Sequence, residues 1–147
     1  MRWEEIDFEA RLWTCPIERM KTGEEHRVPL TDEMLAIIEP LKAMKSDFVF
    51  EGQKRNKPLS NMSMLMLLRR MGVEGVTVHG FRSTFRDWAS DIANAPREVA
   101  EMSLSHRVGS EVERAYARSD LLEKRRVLMQ QWSEYAVGSA TKVQKLG

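Results

Sequence analysis

Two of the chain's three histidines, one of its two tyrosines and Arg82 fall within residues 78–120. His79 precedes Arg82 by three residues, His106 follows Arg82 by 24, and Tyr116 follows His106 by 10. These side chains suit work on a phosphodiester. The planar fork of an arginine binds phosphate oxygens in pairs and stays charged. Histidine donates or accepts hydrogen bonds and does acid–base work. Tyrosine is a covalent nucleophile, helped by nearby positive charge that lowers its free pKa of about 10. Displacement at phosphorus also needs a proton for the leaving alkoxide, and Lys21, in a polar turn, is of the type to deliver one. Each residue also has a plainer reading taken singly. An H-x-x-R box arises by chance in many chains, His106 suits a helix cap, Tyr116 suits half-buried packing, and Lys21 suits a solvated turn.

Positioning these groups falls to elements the sequence outlines. Residues 3–8 and 11–16 read as short strands, with Trp13, Cys15 and Ile17 alternating with polar or small residues. The polar run Lys21–Glu25 makes a turn around Gly23, and His26–Leu30 returns as a strand. Pro29 cannot donate to a ladder and so predicts an edge. From Thr31 the period becomes helical through Met34, Ile37, Leu41 and Met44, with Pro40 predicting a kink or a shortened helix. Phe48–Phe50 reads as a brief strand and Glu51–Pro58 as a loop. A helix capped by Ser60 and running to Met71 carries Met64, Leu67, Leu68 and Met71 on one face, which predicts core. Phe81, Phe85, Trp88 and Ile92 mark another helix. At about 100° per residue Arg82 sits at the edge of its apolar stripe and is expected to need a partner. Pro96 opens a further helix to about Leu104, and Glu111–Ala117 reads as a short helix bearing Tyr116. A last helix runs from Ser119 or Asp120 to Ala136, with Leu121, Leu128, Trp132 and Tyr135 in a stripe. That stripe suits either a neighbouring subunit or the chain's own core, with the core favoured. The fold class is therefore α+β and mostly helical: a small antiparallel sheet with a hairpin, packed on a helical bundle.

Composition is that of an ordinary globular protein, with 42% apolar and 31% charged residues in 147. A net charge of +1 does not by itself mark a nucleic-acid binder. The basic runs Lys54–Lys57, Arg69–Arg70 and Lys124–Arg126 read first as solvated faces. Cys15 is the only cysteine, which excludes an intramolecular disulfide and fits a reducing compartment. No apolar run approaches a membrane span, and no signal segment opens the chain. A cytoplasmic protein is the expectation.

The order of the motifs goes further. Val-His-Gly-Phe-Arg at 78–82, Leu-Ser-His-Arg at 104–107 and Glu-Arg-Ala-Tyr-Ala-Arg at 113–118 resemble the catalytic domain of tyrosine recombinases of the phage and prophage integrase type. The run MRWEEID at 1–7 resembles that family's first strand, and PIERMKTGEEHRVPL at 16–30 its lysine-bearing hairpin. The resemblance implies that residues 1–136 are a partial catalytic domain; residues 137–147, small and polar, read as a flexible tail. It implies that Tyr116 attacks the scissile phosphate to form a 3′-phosphotyrosyl link. Arg82 would hold the phosphate, His79 accept a proton or bind phosphate, His106 hydrogen bond to it, and Lys21 protonate the leaving 5′ oxygen. It implies double-stranded DNA as partner, self-association on DNA in a full-length parent, and no metal or small-molecule cofactor. The family's second catalytic arginine, on a helix before the first strand, has no counterpart; Arg2 matches a residue within the strand motif. A fragment that is weak or inactive alone is the expectation. The competing expectations are a non-catalytic DNA-binding or assembly remnant and, ranked well below, a type IB topoisomerase-like relaxing activity.

Overall fold

The computed structural model describes residues 1–106, 108, 109 and 120–144. Three strands, β1 (Ile6–Asp7), β2 (Leu12–Cys15) and β3 (His26–Pro29), form an antiparallel sheet in the order β1-β2-β3. The register pairs Ile6 with Trp13 and Cys15 with His26, and Leu12 lies opposite Pro29. Pro29 thus sits on an edge strand, as a residue without an N–H must. The first strand is shorter than its apolar pattern predicts. Residues Trp3–Glu5 form a 3₁₀ turn because the Glu5 carboxylate accepts the Arg2 N–H at 2.8 Å. Ile17 does not continue the alternation of β2. It enters a second 3₁₀ turn, Ile17–Arg19, and is exposed.

Helix α1 (Asp32–Ile38) starts where the Thr31 hydroxyl accepts the Met34 N–H. Pro40 then limits it, and the chain tightens into a 3₁₀ helix over Glu39–Met44. The buried face is Met34, Leu35, Ile38 and Leu41, whereas Ile37 and Met44 are exposed. With Ile6, Leu30 and Val49 these residues form one core cluster. Helix α2 (Ser63–Arg70) carries the methionine-rich face. That face does not fill the core as expected: Met64, Leu67 and Met71 are exposed, Met71 at 65%. The reason is architectural, since α2 supplies no residue to either core cluster.

Helices α3 (Gly80–Asp91), α4 (Arg97–Ser103) and α5 (Leu122–Gln144) build the second cluster. Phe85, Trp88 and Ala89 meet Val99, Ala100 and Leu128, with Trp132 packed against them. Phe81 and Ile92, at the ends of the α3 stripe, are exposed. Trp132 lies edge-on to Phe85 at 5.5 Å and 5.1 Å from Trp88, so α5 folds back on its own chain's core. Helix α5 continues to Gln144, past the Ala136 end read from the sequence. Among the described residues no helix is long and apolar enough to cross a membrane.

Buried polar groups join the two halves. Arg125 of α5 is only 2% exposed. It donates to the Arg27 carbonyl at 2.8 Å, and to the carbonyl and carboxylate of Asp120, each at 2.9 Å. Arg27 of β3 reaches the same carboxylate at 2.7 Å. Burial would raise the Asp120 pKa, but the hydrogen bond from Arg27 and the charges of Arg125 and Arg27 outweigh it and hold it low. The run Lys124–Arg126 is therefore not simply a solvated face.

Candidate active site

The site begins at the amino end of α3. His79 precedes the helix, its carbonyl accepting the Arg82 N–H at 3.0 Å, while the Thr77 hydroxyl caps Gly80 N–H at 3.0 Å. The H-x-x-R spacing thus sets both side chains on the first turn of a helix, where the dipole favours anions. Both are exposed.

The partner that Arg82 needs arrives from the end of α4. After Leu104 the chain turns through Ser105, at φ 58°. Ser105 N–H then donates to Met102 O at 3.1 Å, and His106 N–H to Glu101 O at 2.9 Å. These are the paired bonds of a Schellman helix end, with serine where glycine is usual. The turn swings His106 over the α4 terminus. Arg82 Nη2 donates to Leu104 O at 2.5 Å and meets His106 Nε2 at 2.8 Å. An arginine has donors only, so Nε2 accepts. The ring proton is then on Nδ1, which lies 2.6 Å from Glu101 Oε2. The other Glu101 oxygen takes Arg86 Nη2 at 2.7 Å. The hydrogen bond from His106 is the largest cause holding the Glu101 pKa low, with the Arg86 charge assisting against burial.

The sequence reading missed Glu101, Arg86 and His26. Glu101 is 7% exposed. A carboxylate five residues before a histidine carries no signal until the α4 end is seen to turn back on itself. Arg86 lies one turn after Arg82, which was legible as helical spacing but not as a shared network. His26, at the start of β3, lowers its pKa chiefly through burial, with Arg125 and Arg82 adding to the effect, against a backbone hydrogen bond at Ser103. The backbone bond to Ser103 brings the hairpin base to the end of α4 that carries His106. Lys21 is exposed in the turn beyond, and among the described residues it is not hydrogen-bonded to the other candidates. Tyr116 lies outside the described residues. Arg2 stacks over the Phe48 ring at 5.0 Å, in the sheet half of the molecule. Among the described residues no group of histidine, cysteine and carboxylate side chains is placed to hold a metal ion.

An arginine–histidine pair at a helix start, backed by a buried carboxylate, is of a chemistry that can bind an oxyanion. The model of the phage integrase family matches residues 1–123, and the chain belongs to that family. Prophage integrase IntA of Escherichia coli (strain K12) is 42% identical over 137 residues, taking in 90% of this chain and 33% of that protein. The integrase of Shigella phage Sf6 and prophage integrase IntS of Escherichia coli (strain K12) are each 33% identical over 143 residues, 92% of this chain and 36% of theirs. The chain thus spans about a third of the length of these curated relatives. No solved structure matches it.

Proposed function

We propose that this chain is the catalytic part of a site-specific DNA recombinase, a prophage integrase that cleaves and rejoins strands through a 3′-phosphotyrosine. The observation that carries the reading is the contact between Arg82 and His106 at the amino end of α3, in a chain of the phage integrase family. Tyr116 Oη attacks the phosphorus as the bond to the 5′ oxygen breaks. His79 accepts the tyrosine proton, and Lys21 gives one to the departing 5′ oxygen. Arg82 and His106 bind the non-bridging oxygens as charge builds on them. The phosphotyrosine keeps the bond energy for rejoining, so no metal, nucleotide or small-molecule cofactor takes part. The partner is double-stranded DNA, on which the full-length protein self-associates, and the setting is the cytoplasm. Residues 1–136 belong to the catalytic domain and 137–147 to its tail.

The arginine grip on phosphate in this chain is Arg82; among the described residues the neighbouring Arg86 is taken up by Glu101 and does not join that grip. Loss of one such group costs roughly 10²–10³ in rate at comparable sites, so this chain alone is a weak or inactive recombinase. The test places the chain in a protein of its relatives' length and looks for a covalent adduct on attachment-site duplex. Tyr116→Phe is expected to abolish the adduct; an adduct that survives it sinks the nucleophile assignment. Salt-dependent DNA binding with no adduct in the wild type would favour a non-catalytic DNA-binding or assembly role.

A further inference from the structure

The Arg82 guanidinium is not free to hold a phosphate as it stands. Its two bidentate edges, side-on through Nε and Nη2 and end-on through Nη1 and Nη2, both use Nη2. That nitrogen carries two N–H groups and already meets two acceptors, Leu104 O at 2.5 Å and His106 Nε2 at 2.8 Å. The histidine is an acceptor there only while its proton stays on Nδ1, and Nδ1 lies 2.6 Å from the Glu101 carboxylate. Glu101 is itself held by Arg86 and buried, its side chain 10% exposed against 43% for His106. The anchored carboxylate therefore dictates which face of an exposed ring is basic.

We propose that Glu101 is a positioning residue that fixes His106 as the Nδ1–H tautomer, so that Nε2 latches Arg82 in the ligand-free chain and a phosphate oxygen must displace that latch. On exchange, His106 takes one proton from solvent at Nε2 and turns from acceptor of Arg82 to donor to the phosphate. Nδ1 keeps its proton against Glu101. The charged groups facing the ring are Arg82 and Arg86 from α3 and Glu101 from α4, with His26 of β3 set near Arg82. That the phosphate belongs to DNA rests on the strand-transfer reading above; the latch does not.

The test is ring-nitrogen NMR of this chain, which has three histidines to assign, at a pH well above the ordinary imidazole value of about 6.5. Wild-type His106 is expected to show a protonated Nδ1 and a bare Nε2. The reverse pattern overturns the proposal whether or not any variant folds. Glu101→Ala is expected to move the tautomer ratio toward Nε2–H by roughly ten-fold or more, the worth of one charge-assisted hydrogen bond. Arg86→Gln, which loosens the carboxylate's anchor but keeps its bond to Nδ1, is expected to move the ratio the same way by less. A Glu101→Ala protein that folds with an unchanged ratio, or an Arg86→Gln protein that shifts it as far, would refute the role of the Glu101 bond. Inorganic phosphate added to the wild type is expected to protonate Nε2 while Nδ1 stays protonated. Phosphate that leaves both Arg82 and Nε2 untouched, or moves Arg82 with Nε2 still bare, overturns the exchange. No arm of this experiment uses DNA, so its failure is distinct from absence of a covalent adduct.

Discussion

Two parts of the proposed site are held in different ways. At the α3–α4 junction, Arg82, His106, Glu101 and Arg86 form a continuous chain of hydrogen bonds closed on a buried carboxylate. At the lysine hairpin the strand ladder and an ion pair hold the base, and the turn closes through the Gly23 N–H to Met20 O at 3.2 Å. The β2–β3 ladder ends at Cys15 and His26, and Arg19 pairs with Glu5, which also accepts the Trp13 indole N–H at 3.0 Å. Beyond that pairing, Lys21 is exposed. Groups that stabilise charge on a phosphate gain most from fixed geometry, because reorganisation at the moment of reaction would cancel the benefit. A proton donor for a leaving oxygen has only to arrive in reach once DNA is bound. The contrast predicts that substitutions around the junction and its supports change folding, whereas substitution at the tip does not.

The largest expected effect on folding is at Arg125, which supports the hairpin base from below. Arg125→Ala leaves the Arg27 carbonyl without its side-chain donor and the Asp120 carboxylate with Arg27 as its remaining cation. It should cost about 3–5 kcal/mol, read as a fall in the urea midpoint at constant slope. A loss under about 1 kcal/mol would mean that the hairpin base is held by the strand ladder alone.

Acid should act next, with an effect of about 1–3 kcal/mol for the Glu101 pairings. The carboxyls of Glu101, Asp120 and Glu5 all have pKa values below their ordinary ones. A lowered folded-state pKa means that the unfolded chain binds protons more readily. The stabilisation is thus complete above the unfolded value of about 4 and lost as pH falls through the folded values. His26, also lowered, begins the same trend as pH drops below about 6.5. Urea midpoints measured from pH 8 downward should therefore fall, and Glu101→Gln should flatten the lower part of the curve. A curve that rises on acidification contradicts the junction's electrostatics.

Ser105→Gly should give a gain of about 1 kcal/mol, because serine is held at φ 58° where a Cβ is disfavoured. The gain should appear as a higher thermal midpoint without disturbing the His106 tautomer. If the midpoint falls instead, the serine side chain contributes something that this turn's geometry omits.

How much of this was legible in the sequence depends on whether a residue acts through its neighbours or through distant chain. Thr31 as a cap, Pro40 as a limit and Pro29 as an edge follow from local chemistry, and all stand in the structure. The spacing of His79 and Arg82 was readable for the same reason. Amphipathic period shows which face of α2 is apolar but not whether this chain covers it, so the expectation that Met64 and Met71 fill core was wrong. Arg125 sits in a basic run and reads as surface until Asp120 and Arg27 close around it. Glu101 is hidden more deeply, since its role exists only because Ser105 reverses the chain and puts His106 back over α4.

The smallest effect on folding, and the sharpest test of the contrast, is expected at the tip. Lys21→Ala removes an exposed side chain without a hydrogen bond among the described residues, so stability should move by no more than about 0.5 kcal/mol. In the longer recombinase the same change should slow strand cleavage by roughly 10² or more if the lysine protonates the 5′ oxygen. A substrate whose 5′ oxygen is replaced by sulfur, a leaving group that needs no proton, should restore most of that loss. It should do nothing for Arg82→Gln, because in the proposed mechanism the arginine acts on the non-bridging oxygens. If Lys21→Ala lowers stability along with cleavage, the tip is part of the folded scaffold and the contrast with the junction fails. If the sulfur substrate rescues Arg82→Gln as well as Lys21→Ala, the two regions share one role and the division of labour proposed between them is wrong.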